Sequence, residues 1–369
     1  MMMVIPTLFG LEGIVADELR WKGFQGVVAE NGRVFFDGDF HDVAKANIQV
    51  RCGERVQIVL NRFRAESFEA LFQGVKAIDW KEFIGRDNAF PVKGWSLNSK
   101  LHSVPDCQKI VKKAIVEKLK EAYGQSWFEE TGSLVQVQFS ILKDEALIVL
   151  DTSGQGLHKR GYRQNSNMAP IRETLAAGIV ELARVHPDSI VCDPFCGSGT
   201  FAIESAMKAM NIAPGLLRRF ACEQWDSFPN HIFAQQRELA RDQIKKDADF
   251  QAFAYDVDEH CVSLTKENAK KARVASKIRV EKRDVRHYAM GTEKAVVLCN
   301  PPYGERMFER KEAETLYGVM GVVFAPKPRH SYYIITPHEN FEVLFGRKAD
   351  KKRKLYNGMI KCDLYMYFR

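Results

Sequence analysis

The sequence predicts an α/β fold: an open, mostly parallel sheet with helices on both faces, finished by an antiparallel edge hairpin and preceded by smaller α+β units. Three observations predict it. Five candidate strands, SIVCDPF, FQAFAYD, IRVEKRD, AVVLCN and SYYIITP, alternate with helical segments between residues 189 and 337. That order builds parallel strands joined by crossover helices. Asn357-Gly358 divides KRKLYNGMIKCDLYMYF into two strand-like runs around a turn dipeptide. The first fifty residues, lastly, carry a β-α-β-β-α order, that of a small ferredoxin-like unit.

Each element has a local reason. MVIPT reads as a strand, and LEGIVADELRWKG as a helix closed by Gly23. VVAENGRVFFDG places Asn31-Gly32 between apolar stretches, a hairpin signal, and HDVAKANIQVRCG follows as a second helix. These make a first unit over 1–53. A second unit, 54–158, opens with the strand ERVQIVLNRFRA and the helix FEALFQGVKAIDW. AFPVKGWSLNSKL is extended, and in DCQKIVKKAIVEKLKEAYG the residues Ile110, Val111, Ala114, Ile115 and Leu119 fall on one helical face. LVQVQFSILKDEALIVLDTSG gives another hairpin. GQGLHKRGYRQNSNMAP, rich in Gly and Asn, reads as a linker into the third unit, 159–369.

Composition narrows the function classes. The net charge of +7 and pI near 8.9 permit an acidic partner such as RNA without requiring one. The eight cysteines include no Cys-x-x-Cys pair and no accompanying His-x-x-x-His, so no zinc site is expected, and a reducing cytoplasm fits them. MMMVIPTLFG lacks a basic n-region, and no apolar run approaches the roughly 18 residues of a membrane span. A soluble, cytoplasmic protein is expected.

The chemistry gathers at strand ends. DPFCGSGT follows the first strand of the parallel series and opens a helix; Gly197 and Gly199 let the backbone turn and approach a ligand. It is neither the GxGxxG of dinucleotide enzymes nor a P-loop. Asp256 and Asp284 close the next two strands, where one carboxylate can accept ribose hydroxyls and the other an adenine amine. AVVLCN then runs into Pro301-Pro302-Tyr303, a strand ended by two prolines with Asn300 at the mouth.

The array DPFCGSGT, YDVD, RDV and NPPY resembles the class I S-adenosylmethionine-dependent methyltransferases, in that fold's order. The whole chain is similar to a narrower family, the THUMP-domain methyltransferases of the ribosomal RNA large subunit methyltransferase L type. The resemblance rests on PVKGWSLNSKLHSVPDCQKIVKKAIVEKL (91–119), LHKRGYR (157–163), APIRETLAAGI (169–179), DPFCGSGTFAIESA (193–206) and KKRKLYNG (351–358). It implies a ferredoxin-like unit, a THUMP RNA-binding domain and a Rossmann-like catalytic domain with a seven-stranded sheet. It also implies S-adenosyl-L-methionine as cofactor and N2-methylation of a guanine in 23S rRNA. The cofactor residues would be Asp193, Pro194, Cys196, Gly197, Ser198, Gly199, Thr200, Asp256, Val257, Asp284, Val285 and Asn300. Two departures stand out: the chain carries one catalytic domain where the enterobacterial enzyme has two, and Asp256 lies far beyond the ~20 residues usual after the glycine loop.

The expected chemistry needs no metal. Asn300 Oδ1 and the Pro301 carbonyl would hold both hydrogens of an exocyclic amine, preorganised by the prolines, while Tyr303 stacks on a flipped base. Cys299 and Cys196 read as buried structural thiols rather than nucleophiles. Glu305 and Arg306 either gate the pocket or form a surface pair. For RNA contact the candidates are Lys109, Lys112 and Lys113 on the long helix, Lys159, Arg160 and Arg163 in HKRGYR, and Lys351 and Lys352 in RKADKKRK. The helix lysines read first as a solvated face, whereas RKADKKRK reads equally as a solvated hairpin by composition and is tilted towards RNA by the resemblance. The same array also admits tRNA guanine-N2 methylation, protein glutamine N-methylation, or a non-catalytic RNA-binding factor.

Overall fold

The computed structural model describes residues 1–163, 171–229, 231–304 and 307–368. Two seven-stranded sheets organise the chain. The first is built from β1 (Met2–Pro6), α1 (Glu12–Trp21), β2 (Gln25–Glu30), β3 (Arg33–Asp37) and α2 (Phe40–Gln49). It continues with β4 (Gln57–Arg64), α3 (Phe68–Lys76), β5 (Val92–Leu97), α4 (Val104–Tyr123), β6 (Val137–Leu142) and β7 (Glu145–Asp151). Local chemistry sets the ends. Asp39 caps α2 in a reciprocal box with Asp42, Ser67 caps α3, and Gly124, at φ 65°, closes α4. Gly32 takes φ 73° in the β2–β3 turn, and Lys143 and Asp144 both turn left-handed between β6 and β7.

The strand order β2-β3-β1-β4-β7-β6-β5 holds a feature not visible in sequence. β1 pairs with β3 on one side and with β4 on the other, through Met3 opposite Ile58. The first two units therefore share one continuous sheet and one core, which runs from Met3 and Phe36 to Trp80 and Phe139.

The second sheet follows the expected order. Its elements are α5 (Glu173–Leu182), β8 (Ile190–Asp193), α6 (Thr200–Ala209), α7 (His231–Asp242), β9 (Gln251–Asp256), α8 (Glu259–Lys271) and β10 (Ile278–Lys282). Then come β11 (Ala295–Cys299), α9 (Met307–Val323), β12 (His330–Thr336), α10 (Phe341–Phe345), β13 (Lys351–Asn357) and β14 (Ile360–Tyr367). Strands β10-β9-β8-β11-β12 are parallel, β14 runs antiparallel to β12, and β13 hairpins onto β14 through Gly358.

Two stretches behave differently from their sequence reading. The described part of the expected linker, up to Arg163, is packed rather than free: Arg160 and Tyr162 are among the most buried side chains of the chain. The insertion between α6 and β9 leaves its own sheet. Phe220, Trp225, Phe228, Ile232 and Phe233 enter the core of the N-terminal half, α7 lies on α2, and Phe228 meets Phe40 edge-on at 5.0 Å.

Candidate active site

The carboxyl ends of β8, β9, β10 and β11 open onto a cavity of about 560 Å³. The sheet order reverses between β8 and β11, and at such a switch point open α/β sheets bind their ligands. Every residue expected to hold cofactor lines this cavity except Gly199, which shapes the loop from behind.

The loop after β8 turns on two glycines and is then clamped. Gly197, at φ 52°, has no atom within 4 Å of where a Cβ would stand, so its backbone faces open space. Gly199, at φ 85°, is required for a second reason: a Cβ there would lie 2.7 Å from Thr265 Cγ2 on α8. From that helix Thr265 Oγ1 donates to the Gly197 carbonyl and Asn268 Nδ2 to the Ser198 carbonyl, both at 2.9 Å. Sequence reasoning missed Thr265 and Asn268. Their signal was there: two fully buried polar residues on a face that otherwise buries Cys261, Val262, Leu264 and Ala269.

The three carboxylates differ by environment. Asp256 accepts the Gly197 amide on one oxygen at 2.9 Å and the Asp258 amide on the other at 3.0 Å, which leaves lone pairs for a ligand diol. Asp284, at the rim, is held below the ordinary range by the Arg286 backbone amide, with the Arg286 guanidinium adding to it. Asp193 is 1% exposed and, among the described residues, accepts one hydrogen bond, from the Phe195 amide at 3.2 Å. Burial pushes its carboxyl up to about 8, with Asp256 nearby adding to the rise. A buried acid with one amide donor is a ready seat for an ammonium group. With the open backbone at Gly197 and the free lone pairs of Asp256, the set fits S-adenosylmethionine.

The loop after β11 is braced from two sides. Asn357 Nδ2, at the tip of the β13–β14 hairpin, donates to the Tyr303 hydroxyl at 3.4 Å, and that hydroxyl donates to Asn300 Oδ1 at 2.7 Å. This chain fixes which way the Asn300 amide points and leaves Oδ1 a second lone pair. Burial pushes the Tyr303 phenol well above its usual range, so it stays a donor. On the other side Tyr317, fully buried on α9, donates to the Pro302 carbonyl at 2.9 Å and shares a hydrogen bond with Thr336 Oγ1 at 3.1 Å. The sequence reading had Tyr303 as a stacking ring only; its hydroxyl and Tyr317 were not foreseen. Glu305 and Arg306 lie outside the described residues.

The cysteine reading agrees with the structure. All eight are free and buried, and burial raises the Cys299 and Cys196 thiols far from thiolate formation.

The RNA candidates divide. Arg160 is corrected to a structural residue: it is 2% exposed, with hydrogen bonds to the carbonyls of Arg51 and Leu157 and its charge set against Glu204. Arg163 is likewise withdrawn from phosphate contact, since it pairs with Glu173 at 2.8 Å and donates to Thr200 Oγ1 at 3.2 Å behind the cofactor loop. Lys112 is turned inward, 2.6 Å from Glu130 and over the Phe90 ring. Lys109 and Lys113 stay exposed beside Asp106 and Glu117, and Lys159 is exposed. Lys351 and Lys352 sit on the edge hairpin, at the end away from the cavity.

Such a sheet, with a clamped glycine loop, two strand-end carboxylates and a braced Asn-Pro-Pro-Tyr loop, defines a class I S-adenosylmethionine-dependent methyltransferase. The chain belongs to the RMKL-like methyltransferase family: residues 160–366 match that family's methyltransferase domain (UPF0020). Residues 2–57 match the RlmL ferredoxin-like domain, and 65–151 the THUMP domain. It is similar to the putative RNA methyltransferase YpsC of Bacillus subtilis, 46% identical over 368 residues, covering 99% of this chain and 95% of that protein. It is also similar to the ribosomal RNA large subunit methyltransferase K/L of Cellvibrio japonicus, 30% identical over 373 residues and 97% of this chain. The chain spans 50% of that protein's length. Among solved structures, SMU.472, a putative methyltransferase complexed with SAH, superposes with TM-score 0.93 at 41% identity, over 100% of this chain and 97% of that one. A predicted N6-adenine-specific DNA methylase from Listeria monocytogenes superposes with TM-score 0.94 at 43% identity, over 100% and 96%.

Proposed function

We propose that the protein methylates the exocyclic N2 amine of a guanine in 23S ribosomal RNA. The observation that carries this reading is the Asn300 acceptor, aimed by the Tyr303 hydroxyl and standing at the mouth of the cofactor cavity. S-adenosylmethionine, when bound, supplies an electrophilic methyl group. The protein's part is to present the amine. The exocyclic amine of guanine is a poor nucleophile, because its lone pair is delocalised into the ring; two acceptors on its hydrogens turn that lone pair towards the methyl. Asn300 Oδ1 offers one acceptor and the Pro301 carbonyl the other. The carbonyl of Pro302 is already engaged by Tyr317, which fixes the loop before substrate arrives. Raised Asp193 and the twice-bonded Asp256 would seat the cofactor's charged and hydroxylated parts.

An acceptor pair of this kind serves any exocyclic amine or amide. The THUMP domain and the rRNA-directed K/L relative favour RNA over the DNA named for the Listeria neighbour. The test is to incubate the protein with labelled S-adenosylmethionine and separate pools of unmodified 23S rRNA, tRNA, DNA and release-factor protein. The expected result is label in 23S rRNA alone, recovered as N2-methylguanosine. Label confined to tRNA, or recovered as N6-methyladenosine, would overturn the assignment.

A further inference from the structure

A second cavity, of about 1670 Å³, lies at the opposite end of the catalytic sheet. Its walls come from α1 and α2, from the turn at Arg184–Pro187 that precedes β8, and from the Lys351–Arg353 start of the edge hairpin. Small-molecule sites run to roughly 300–1,000 Å³, so this groove is scaled for a length of polymer.

Its charge is one-sided. Nine Lys and Arg side chains line it against three acids, and all three acids are engaged. Asp17 pairs with Arg20, Glu181 with Lys208, and both oxygens of Glu18 accept backbone amides from Arg51 and Cys52. Among the described residues, Lys22, Arg184, Lys245, Lys351 and Arg353 line it without a salt bridge, although Glu18 and Glu181 act on Lys22 through space. Lys22 is half-buried, and burial lowers its proton affinity. Arg51, 5% exposed, donates through Nη2 to the Met207 and Ile212 carbonyls, while its Nη1 is buried without a partner among the described residues. A buried guanidinium short of a partner is costly unless an anion comes to it. On α4, by contrast, Lys109, Lys112 and Lys113 each stand beside an acid.

The rim supplies flat aromatic surface. The Trp21 indole is 90% exposed, and Phe368 is partly so. A basic groove edged by an exposed indole suits a single strand, whose phosphates track the cations while a base stacks. From Lys351 to Asn357 the hairpin spans about 20 Å, at ~3.4 Å per residue. Its far tip is the one that touches Tyr303. One edge of the molecule thus connects groove and acceptor loop.

We propose that this groove holds a single-stranded segment flanking the target nucleotide, with its phosphates on Lys22, Arg184, Lys245, Lys351 and Arg353 and a base on Trp21. The inference rests on the RNA reading of the active site. Its test is fluorescence anisotropy with an end-labelled, unstructured 20-nucleotide RNA, titrated over a salt series. The variants are Lys245→Glu/Lys351→Glu/Arg353→Glu, Trp21→Ala, and a control of equal charge, Lys113→Glu/Lys118→Glu/Lys120→Glu. S-adenosylhomocysteine binding and thermal melts confirm that each is folded. The groove triple should lose at least tenfold in affinity, and the slope of log K against log salt should fall by about 2, at ~0.7 per phosphate contact. Trp21→Ala should lose about fivefold or more, the lower end for one stacked base. Wild-type affinity in the groove triple, an equal loss in the control, or competition by poly-glutamate as effective as by RNA would overturn the proposal while leaving the active-site reading intact. A wild-type protein that neither binds nor methylates RNA would fail that earlier reading instead.

Discussion

Asp193 should make the ligand-free protein weaker as the solution becomes more alkaline. The folded carboxyl is raised to about 8 from an ordinary 3.8, mainly by burial. Between those values the folded state keeps a proton that the unfolded chain has lost, so stability falls as pH rises. At ~1.36 kcal/mol per unit, the penalty is on the order of 4 kcal/mol at pH 7 and grows by about 2 kcal/mol between pH 6 and pH 8. Asp193→Asn keeps an oxygen for the Phe195 amide and removes the ionisable proton. Ligand-free Asp193→Asn should therefore melt above wild type at pH 8, with the gap widening by roughly 4 °C from pH 6, at ~2 °C per kcal/mol for a protein of this size. The same variant should bind S-adenosylmethionine more weakly, and the wild-type affinity should rise with pH over this range as the carboxyl ionises. Differential scanning fluorimetry and calorimetric titration at pH 6, 7 and 8 measure both. A variant that melts below wild type at pH 8, or a gap that does not widen, would refute the reasoning.

Three further substitutions separate presentation of the amine from binding of cofactor. Asn300→Ala removes the aimed acceptor and should lower kcat by about 10²–10³, the range for losing one preorganised polar group, with a much smaller loss of S-adenosylhomocysteine affinity, since Asn300 also lines the cofactor cavity. Tyr317→Phe frees the Pro302 carbonyl at about 1–2 kcal/mol; kcat should fall about tenfold by single-turnover assay, without a change in cofactor affinity. Asn268→Ala unclamps the glycine loop and should show the opposite split, about tenfold weaker cofactor binding by calorimetry with a smaller change in kcat at saturation.

What could be read from sequence was what local chemistry decides. The central parallel strands β8, β11 and β12 announce themselves because they are largely buried, the hairpins because Asn-Gly accepts positive φ, and the cofactor loop because Gly197 and Gly199 are needed where the chain turns. What could not be read depends on partners far along the chain. HKRGYR looks like exposed basic loop, yet Glu204 and Glu173 neutralise Arg160 and Arg163 from positions 44 and 10 residues away. Glu130 does the same for Lys112. The amide of Asn300 was legible as an acceptor, but its orientation is set by a hairpin tip 57 residues later, through Tyr303. The continuous first sheet needs β1 to pair on both edges, and no pattern within β1 announces that.

The insertion before β9 has a consequence for stability. Phe220, Trp225, Phe228 and Phe233 belong to the catalytic half by sequence but are buried with the N-terminal half. At ~1.5–3 kcal/mol for each large apolar side chain buried, separating the halves would expose several kcal/mol of greasy surface on both. The two halves are therefore coupled through this seam, and a fragment of either half alone should melt below the full chain, a difference that calorimetry of both fragments would read.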